Sequence, residues 1–308
     1  MRLLVVGAGA TGGYFGGRLA QAGRDVTFLV RPSRAAQLHA DGLRIVSAHH
    51  GDATIAPKLA AAETIDGPYD VVLVTVKAYA LEAAVADFAP AVAPATIVLP
   101  VLNGMRHLET LSARFGEGAV VGGVCRVATM LEPDGRIVQI APFQELAYGE
   151  RDGAVSARMQ ALDSFLRGAG FDATLSPAVI AEMWAKWTLL AAMGALNCLL
   201  RGNVGEIAAA PGGTDVAHAI LAEVVGIVTA VGTRPRDGVI DTCRTMLTAR
   251  GSAQASSMYR DLLKGYPVEA DHILGDLLSR GRRAGITSPL LTAAYANLCV
   301  YQARRSAA

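Results

Sequence analysis

The segment G-A-G-A-T-G at residues 7–12 has the residue types and the spacing of a phosphate-binding loop. In a G-x-G-x-x-G sequence between a strand and a helix, the glycines permit a tight turn, close approach of a pyrophosphate, and close packing of helix on strand. The N-terminus of that helix favours anions. An apolar run at residues 3–6 and a helical pattern at 11–22 supply this context, so the segment predicts a dinucleotide site. The predicted cofactor contacts are Gly7, Gly9, Ala10, Thr11 and Gly12.

Arg31 stands at the end of the second predicted strand, residues 25–30. About 20 residues beyond the glycines, an NAD enzyme presents Asp or Glu to the ribose 2′-hydroxyl, whereas an arginine there accommodates the 2′-phosphate of NADP. A guanidinium binds phosphate through charge-assisted hydrogen bonds, to which Ser33 and Arg34 could add donors. We therefore predict NADP(H) as the cofactor. The competing interpretation of Arg31 is a solvated surface arginine.

The composition limits the class of protein. The chain has 308 residues, enough for two domains, and its 28 Lys and Arg nearly balance its 27 Asp and Glu, so no basic field would hold nucleic acid. The longest apolar stretch, residues 187–200, is shorter than the ~20 residues that a membrane-spanning helix needs, which predicts a buried core helix and no membrane segment. Four widely spaced cysteines predict neither disulfides nor a zinc site, and they fit a reducing cytoplasm.

The elements that position the glycine-rich segment alternate along the first half of the chain. Strand patterns occur at residues 3–6, 25–30, 71–76 and 96–99, and helical patterns at 11–22 and 81–88. Such alternation predicts a doubly wound parallel sheet with helices on both faces. Three further strand patterns are expected to close this domain, at 120–130, 135–140 and 145–149.

Helical patterns replace strand patterns in the second half. Ser176 and Ser288 each precede a proline, and an N-cap serine before a first-turn proline predicts a helix start. Gly265 is expected to end one helix. We therefore predict an α/β fold in which a Rossmann-type dinucleotide-binding domain over residues 1–175 is followed by an all-α helical domain over residues 176–308.

Further motifs occur in both halves. The first half carries V-T-V-K at 74–77 and L-N-G-M at 102–105, and the second carries E-M-W-A-K at 182–186 and S-S-M at 256–258, with Glu269 beyond them. With the glycines and the arginine described above, these motifs resemble the ketopantoate reductase (2-dehydropantoate 2-reductase) family. The resemblance spans nearly the whole chain and implies a fold similar to that of 6-phosphogluconate dehydrogenase.

The resemblance implies NADPH-dependent reduction of a 2-oxo acid to a 2-hydroxy acid, with ketopantoate or a related compound as substrate. It makes Lys186 the general acid and gives Glu269 the role of holding the lysine and polar groups of the substrate. It places Asn103 near the nicotinamide, where it orients the lysine or the substrate, and it assigns the substrate carboxylate to Ser257. The chemistry agrees, because carbonyl reduction needs a hydride donor, a proton donor and anchors for the carboxylate.

Some of these residues also have simpler explanations. A lysine on an apolar helix, such as Lys186, usually carries its charge to water. Lys77 could be a charge at a strand end rather than the cofactor or active-site contact that we favour at this edge of the sheet. Glu269 and His272 form an E-x-x-H pair of the kind seen in metal-binding bundles, but the sequence has no second such pair, so we predict no metal.

Two positions depart from the family pattern. Family members generally carry asparagines one and two turns after the catalytic lysine, where they contact the substrate, but this chain has Leu190 and Gly194 there. Asn197, one turn further along, is the candidate replacement for substrate binding. Glycine is expected to widen the pocket and leucine to make it drier. We therefore expect a bulkier or less hydroxylated 2-oxo acid to be preferred over ketopantoate.

Other functions stay open at this point. The chain could be a related dehydrogenase of a β-hydroxy acid, an imine reductase, or a non-enzymatic NADPH sensor whose second domain recruits a partner, because fold alone does not fix function. The presence of Lys186, Ser257 and Glu269 together favours an enzyme. We expect a small-molecule 2-oxo acid as partner and neither nucleic acid nor membrane. A homodimer is compatible with the sequence, which leaves the oligomeric state open.

Overall fold

The structure is a computed structural model and describes residues 1–307. The chain forms two compact units, the first of Met1–Leu102 and His107–Val179 and the second of Asn103–Arg106 and the residues from Ile180 onward. This division differs from the predicted boundary after residue 175 in two details. Ser176 stays with the first unit, where its N–H donates to the carbonyl of Tyr148 at 2.8 Å. The short segment 103–106 belongs to the second unit.

The strands all lie in the first unit: β1 Arg2–Val6, β2 Asp25–Leu29, β3 Leu43–Ser47, β4 Ala53–Ile55, β5 Lys58–Ala60, β6 Val71–Val74, β7 Ile97–Pro100, β8 Gly122–Leu131, β9 Ile137–Gly149 and β10 Asp172–Leu175. The first helices are α1 Ala10–Gln21, α2 Pro32–Asp41, α3 Leu81–Phe88, α4 Arg106–Phe115 and α5 Ala157–Leu166. The later helices are α6 Val179–Leu200, α7 Val204–Ala209, α8 Gly213–Val231, α9 Asp237–Leu247, α10 Ser257–Leu263, α11 Asp276–Arg283 and α12 Pro289–Ala307. A π-helical segment, Asp271–Gly275, directly precedes α11.

β1 is the central strand of a five-stranded parallel sheet with the order β5-β2-β1-β6-β7. β6 and β7 are buried at every residue, as expected for a parallel sheet that is covered on both faces. The strand order reverses beside β1, and ligands of such sheets bind at the carboxyl ends of the strands at this switch point. The predicted doubly wound sheet is confirmed. It also includes β5, whose three residues are too few to give a sequence pattern.

β9 is the strand with the most partners in a second sheet. The strand patterns in the sequence did not show that this sheet is separate from the first. The strands predicted at 135–140 and 145–149 are one continuous strand, β9, which pairs antiparallel with β8. β3 runs parallel to the first part of β9, and β10 runs parallel to its last part. The second sheet therefore has the order β10-β9-β3-β4, with β8 also paired to β9.

α1 packs closely against both sheets through glycines. A Cβ on Gly16 would lie 2.6 Å from the ring of Phe28 in β2, and a Cβ on Gly17 would lie 2.8 Å from Ile45 Cδ1 in β3. A side chain at either position would collide with these well-packed groups, so only glycine lets the helix lie this near. The packing fixes the position of the helix whose N-terminus follows the glycine-rich segment.

α6 and α8 are the apolar helices of the second unit. α6 is longer than the apolar stretch that predicted it, because it begins at Val179. Among the described residues these two helices are long and apolar enough to cross a membrane by length and composition, and 61% of the apolar window of α6 and 33% of that of α8 is buried. A buried core helix meets the same criterion. α8 packs against α7, α9, α11 and α12, so it contributes to the core of this unit.

A residue distant in sequence caps the start of α12. The helix begins where predicted, but the buried Oγ of Ser288 makes no hydrogen bond within residues 1–307. The carboxylate of Glu223 in α8 accepts instead from the N–H groups of Leu290 at 3.0 Å and Leu291 at 2.9 Å. A carboxylate suits a helix N-terminus, because it satisfies free N–H groups and the positive end of the helix dipole. The cap therefore joins α8 to α12.

We expect Glu223→Ala to lower the free energy of unfolding by about 1–3 kcal/mol, because two helix N–H groups lose their acceptor. Ser288→Ala is the matched control. It removes a hydroxyl that has no hydrogen-bond partner in the described part of the chain, and we expect little change in stability. Urea unfolding followed by circular dichroism would compare both variants with the native chain. A larger loss for Ser288→Ala than for Glu223→Ala would contradict this assignment of the cap.

Candidate active site

The glycine-rich segment leaves a helix N-terminus open to a phosphate. Gly7 has a φ of +98°, and a Cβ on Gly12 would lie 2.1 Å from the carbonyl oxygen of Gly7, so both positions require glycine. Around Gly9, in contrast, nothing lies within 4 Å of the place that a Cβ would take. α1 begins at Ala10 without a side-chain cap. Open space and an uncapped helix start meet at one turn, and the residues present therefore fit the pyrophosphate of a dinucleotide.

Thr75 holds this loop in place, a role that the sequence analysis did not assign. Its Oγ lies 2.9 Å from the carbonyl oxygen of Val6 and 3.0 Å from that of Gly7, and it donates its hydrogen between them. Thr75 directly follows β6, so the hydroxyl joins the ends of the neighbouring strands β1 and β6 at the loop. The sequence feature that could have indicated this role is a threonine directly after a wholly apolar strand, at the edge of the sheet where the loop lies.

Arg31 and Arg34 have different surroundings. Arg31 is exposed at the carboxyl end of β2, and its guanidinium makes no hydrogen bond or ion pair within residues 1–307. Arg34 instead donates through Nε to the carbonyl of Ala8 at 3.0 Å and through its Nη atoms to that of Gly135 at 3.2 and 3.3 Å. Burial lowers the pKa of Arg34 from its ordinary value. Arg34 therefore braces the glycine-rich loop, and Arg31 remains available to a phosphate.

Lys77 lies at the same edge of the first sheet. It follows β6, is half-buried, and directly precedes a short 3₁₀ turn. Its neighbour Val76 lies against the loop, because a Cβ on Gly7 would be 3.3 Å from Val76 Cγ1. The lysine is thus placed where the sequence analysis expected it, and its contact with a cofactor stays a prediction.

Segments that carry two predicted catalytic residues meet at the π-helical segment Asp271–Gly275 of the second unit. Trp187, which follows Lys186 on α6, donates its indole Nε1–H to the carbonyl of Ile273 at 2.9 Å. The carbonyl of Glu269 accepts from the N–H of the same Ile273 at 3.0 Å. The Trp187 indole therefore bonds the turn that begins at Glu269, and this contact joins the helix of Lys186 to the segment of Glu269. π-helical turns of this kind frequently occur at functional sites.

Asn103 reaches the same place through Gly104. Gly104 has a φ of +79°, and a Cβ on it would lie 2.9 Å from the carbonyl oxygen of His272 and 3.2 Å from Cδ2 of its ring. Only glycine permits both this backbone conformation and this approach. Asn103 is therefore held beside the turn that follows Glu269. The sequence alone indicated an ordinary Asn-Gly turn, because it does not show which residues pack against the glycine.

The π-helical region buries charged and titratable groups. Glu269, His272 and Asp276 are all buried, and Arg280 donates through Nε to the Asp276 carboxylate at 3.0 Å. Burial lowers the pKa of His272 from its ordinary value, and the charges of Glu269 and Asp276 act in the opposite direction. Residues 1–307 contain no group of three or more side chains arranged to hold a metal ion.

The two residues predicted to contact the substrate, Ser257 and Asn197, differ in exposure and in their hydrogen bonds. Ser257 is half-exposed at the first position of α10, and its hydroxyl makes no hydrogen bond within the described residues. Asn197 is completely buried, and its amide donates to the carbonyl of Gly202 at 2.9 Å and accepts from the N–H of Ser256 at 2.8 Å. The expectation that Asn197 binds substrate is therefore corrected, because both ends of its buried amide already bond the backbone.

Gly194 does not widen a pocket. A Cβ at this position would lie 2.7 Å from Met258 Cε, so the methionine fills the space that the missing side chain leaves. The expected extra room at Gly194 was wrong, since the sequence could not show which residue packs there. Leu190, one turn closer to Lys186, is half-buried. It is the departure from the family pattern that remains able to change the substrate.

Comparison with known proteins covers both units. Residues 3–153 match the ketopantoate reductase family PanE/ApbA, and residues 178–302 match the C-terminal part of the same family. The uncharacterized oxidoreductase YkpB of Bacillus subtilis strain 168 is 35% identical to this chain over 308 residues, which cover 99% of this chain and 100% of that protein.

Solved structures share the fold over the same extent. The 2-dehydropantoate 2-reductase from Geobacter metallireducens GS-15 superimposes with a TM-score of 0.87 at 29% identity, covering 97% of this chain and 99% of that one. A ternary structure of D-mandelate dehydrogenase with NADH and anilino(oxo)acetate has a TM-score of 0.89 at 20% identity, covering 99% and 100%, and shows a similarity of fold. The chain therefore belongs to the ketopantoate reductase family, a family of oxidoreductases that act on a CH–OH group.

Proposed function

We propose that this protein reduces a 2-oxo acid to a 2-hydroxy acid with NADPH and that Lys186 is the general acid. The observation that carries the proposal is the hydrogen bond from Trp187, next to Lys186 on α6, to the carbonyl of Ile273, which lies in the helical turn that begins at Glu269. Gly104 brings Asn103 to the same turn. The lysine, the carboxylate and the amide named by the family resemblance are thus on segments that pack together.

The proposed reaction needs a hydride at carbon 2 and a proton at the carbonyl oxygen. The reduced nicotinamide supplies the hydride when it is bound. Lys186 Nζ donates the proton, and its positive charge stabilises the negative charge that develops on the oxygen, which is usually the largest contribution in such a site. The Ser257 hydroxyl binds the substrate carboxylate. The buried Glu269 holds the lysine and polar groups of the substrate.

NADPH is the proposed form of the cofactor because of Arg31. Its guanidinium is exposed and has no partner among residues 1–307, and it lies at the strand end where dinucleotide folds bind the adenosine ribose. Arg34, three residues further along, is already bonded to the carbonyl of Gly135. A reducing cytoplasm is the proposed location, since all four cysteines are free thiols.

The proposed substrate is a 2-oxo acid with an apolar group where ketopantoate has its hydroxyl. This proposal rests on Leu190, which lies one turn from Lys186 and cannot donate a hydrogen bond. Opposite a hydroxyl, leucine would leave a desolvated polar group unpaired, at a cost of about 1–3 kcal/mol, whereas opposite an alkyl or aryl group it adds apolar contact. Met258 limits the room further along the helix, so the preference follows from polarity rather than from added volume.

Arg31→Asp should weaken NADPH binding and shift the preference toward NADH, because a carboxylate replaces the partner of the 2′-phosphate. A lost charge-assisted hydrogen bond of about 1.5–3 kcal/mol corresponds to about a 10- to 150-fold rise in Kd. Fluorescence titration with both cofactors would measure it. Arg250→Asp, at an exposed arginine of the second unit, is the matched control and should change neither affinity. Unchanged NADPH affinity in Arg31→Asp would remove Arg31 from the site.

Lys186→Ala should leave NADPH affinity within about twofold while kcat falls by about 10²–10⁴-fold, because the lysine acts mainly on the transition state. Single-turnover oxidation of bound NADPH, followed by absorbance, would measure the chemical step directly. Lys264→Ala, at an exposed lysine of the second unit, is the control. A chemical step as fast in Lys186→Ala as in the control would exclude Lys186 as the general acid.

Leu190→Asn should raise kcat/KM for ketopantoate relative to 3,3-dimethyl-2-oxobutanoate, a compound of the same skeleton without the hydroxyl. The native chain should prefer the unhydroxylated acid, and the new amide should recover a hydrogen bond of about 1 kcal/mol, or about fivefold in that ratio. Leu190→Met controls for a change of side chain without a donor. A native preference for ketopantoate over its unhydroxylated analogue would contradict this substrate assignment.

A further inference from the structure

A short extended stretch before α10 is bonded to the end of α6 and to the start of α7. Every second residue of this stretch, from 252 to 256, contributes one backbone group. The three bonds are Gly205 N–H to Ser252 O at 2.8 Å, Val204 N–H to Gln254 O at 2.9 Å, and Ser256 N–H to Asn197 Oδ1 at 2.8 Å. The last is the only one of the three that uses a side chain, and it lies directly next to Ser257.

Asn197 forms a bridge rather than a single contact. Its Oδ1 accepts from Ser256, while its Nδ2 donates to the carbonyl of Gly202, just beyond the end of α6. The side chain is completely buried. A buried amide with both ends bonded is costly to move, because any shift leaves a donor or an acceptor unpaired. The bridge therefore fixes the start of α10 relative to the end of α6.

The position of Ser256 determines that of Ser257. The Oγ of Ser256 caps α10 by accepting from the N–H of Tyr259 at 3.1 Å, so its backbone is held from the preceding side by Asn197 and from the following side by the helix. Gly194 and Met258 pack closely on the same face of α6. Three contacts therefore hold the turn that carries Ser257: the bond to Asn197, the cap on Tyr259 and the packing of Met258 on Gly194.

We infer that Asn197 is a positioning residue, which acts on the 2-oxo acid through the backbone of Ser256 and the hydroxyl of Ser257. The inference rests on the proposed function, since it takes Ser257 to bind the substrate carboxylate. Asn197 itself does not touch the substrate. Its loss should therefore weaken substrate binding by way of Ser257 and leave the proton transfer from Lys186 largely intact.

The primary variant is Asn197→Leu, which keeps a similar volume and removes both hydrogen bonds. We expect KM for the 2-oxo acid to rise about tenfold while kcat changes by less than about threefold, because a carboxylate anchor contributes equally to ground state and transition state. Affinity for NADPH, measured by fluorescence titration, should not change. Amide hydrogen exchange should be faster at residues 256–259 than in the native chain.

The matched control is Asn297→Leu, the same substitution at a residue of α12 that bonds the same end of α6. Asn297 donates to the carbonyl of Cys198 at 2.9 Å and accepts from Arg201, so it ties α6 to α12 rather than to α10. It should lower thermal stability without raising KM. An equal rise of KM in both variants would mean that KM reports the general stability of the helix end, and this would overturn the inference.

A double-mutant cycle with Ser257→Ala tests the route of the effect. If Asn197 acts through Ser257, the double variant should have nearly the KM of Ser257→Ala alone, because the anchor that Asn197 positions is already absent. Multiplied effects would overturn the inference and leave the role of Ser257 intact. No effect of Ser257→Ala on KM would instead remove Ser257 from the proposed function, and the inference with it.

A second pair of variants removes the same bond from its other partner, in case Asn197→Leu does not fold. Ser256→Pro lacks the N–H that Asn197 accepts, and the native φ of −64° at this residue suits proline. Ser256→Ala loses only the capping hydroxyl and keeps that N–H. KM should rise more in Ser256→Pro than in Ser256→Ala. Equal KM values in the two variants would overturn the inference. Neither variant changes a residue of α6, so the comparison does not depend on how that helix tolerates a substitution.

Discussion

The hydrogen bond from the Trp187 indole to the carbonyl of Ile273 holds together the two segments of the second unit that carry Lys186 and Glu269. Both residues are almost completely buried, so breaking the bond would leave an unpaired polar group at a cost of about 1–3 kcal/mol. Lys186 directly precedes the tryptophan, and the backbone carbonyl of Glu269 accepts from the N–H of the same Ile273 within one helical turn. The bond therefore determines how the helix of the lysine lies against the segment of the carboxylate.

Each candidate binding region depends on a glycine that lets two backbone segments lie unusually close together. At the nucleotide loop, Gly12 lets the backbone of α1 pass next to the carbonyl of Gly7 and the hydroxyl of Thr75. In the second unit, Gly104 lets its segment lie on the backbone of His272 and so places Asn103. In both places an added Cβ would collide with a backbone carbonyl, that of Gly7 or that of His272. Substitution of either glycine would therefore displace the segment, although no reacting group would be changed.

Neighbouring residues of one type have separate roles, and hydrogen-bond partners decide which role each has. Arg34 is held by carbonyl oxygens and braces the loop, whereas Arg31 is exposed and available to a phosphate. Ser256 caps α10, whereas the hydroxyl of Ser257 makes no hydrogen bond to any residue from 1 to 307. Asn197, whose amide oxygen and nitrogen each bond the backbone, belongs with the residues that hold the site. Residue type alone would have grouped all five as candidate contacts.

The sequence by itself determined the parallel sheet, the glycine-rich loop and the family, because these depend on local spacing and on motifs that lie within a few residues. It also placed Lys186 on a helix of the second half and Glu269 at the start of another, where the structure has Glu269 directly before the first helical residue. Only the tertiary structure decided that β9 forms a second sheet, that Asn197 is buried and that Met258 fills the space at Gly194. Each of these depends on which distant residues come into contact, and spacing along the chain does not record which distant side chain fills a space or satisfies a polar group.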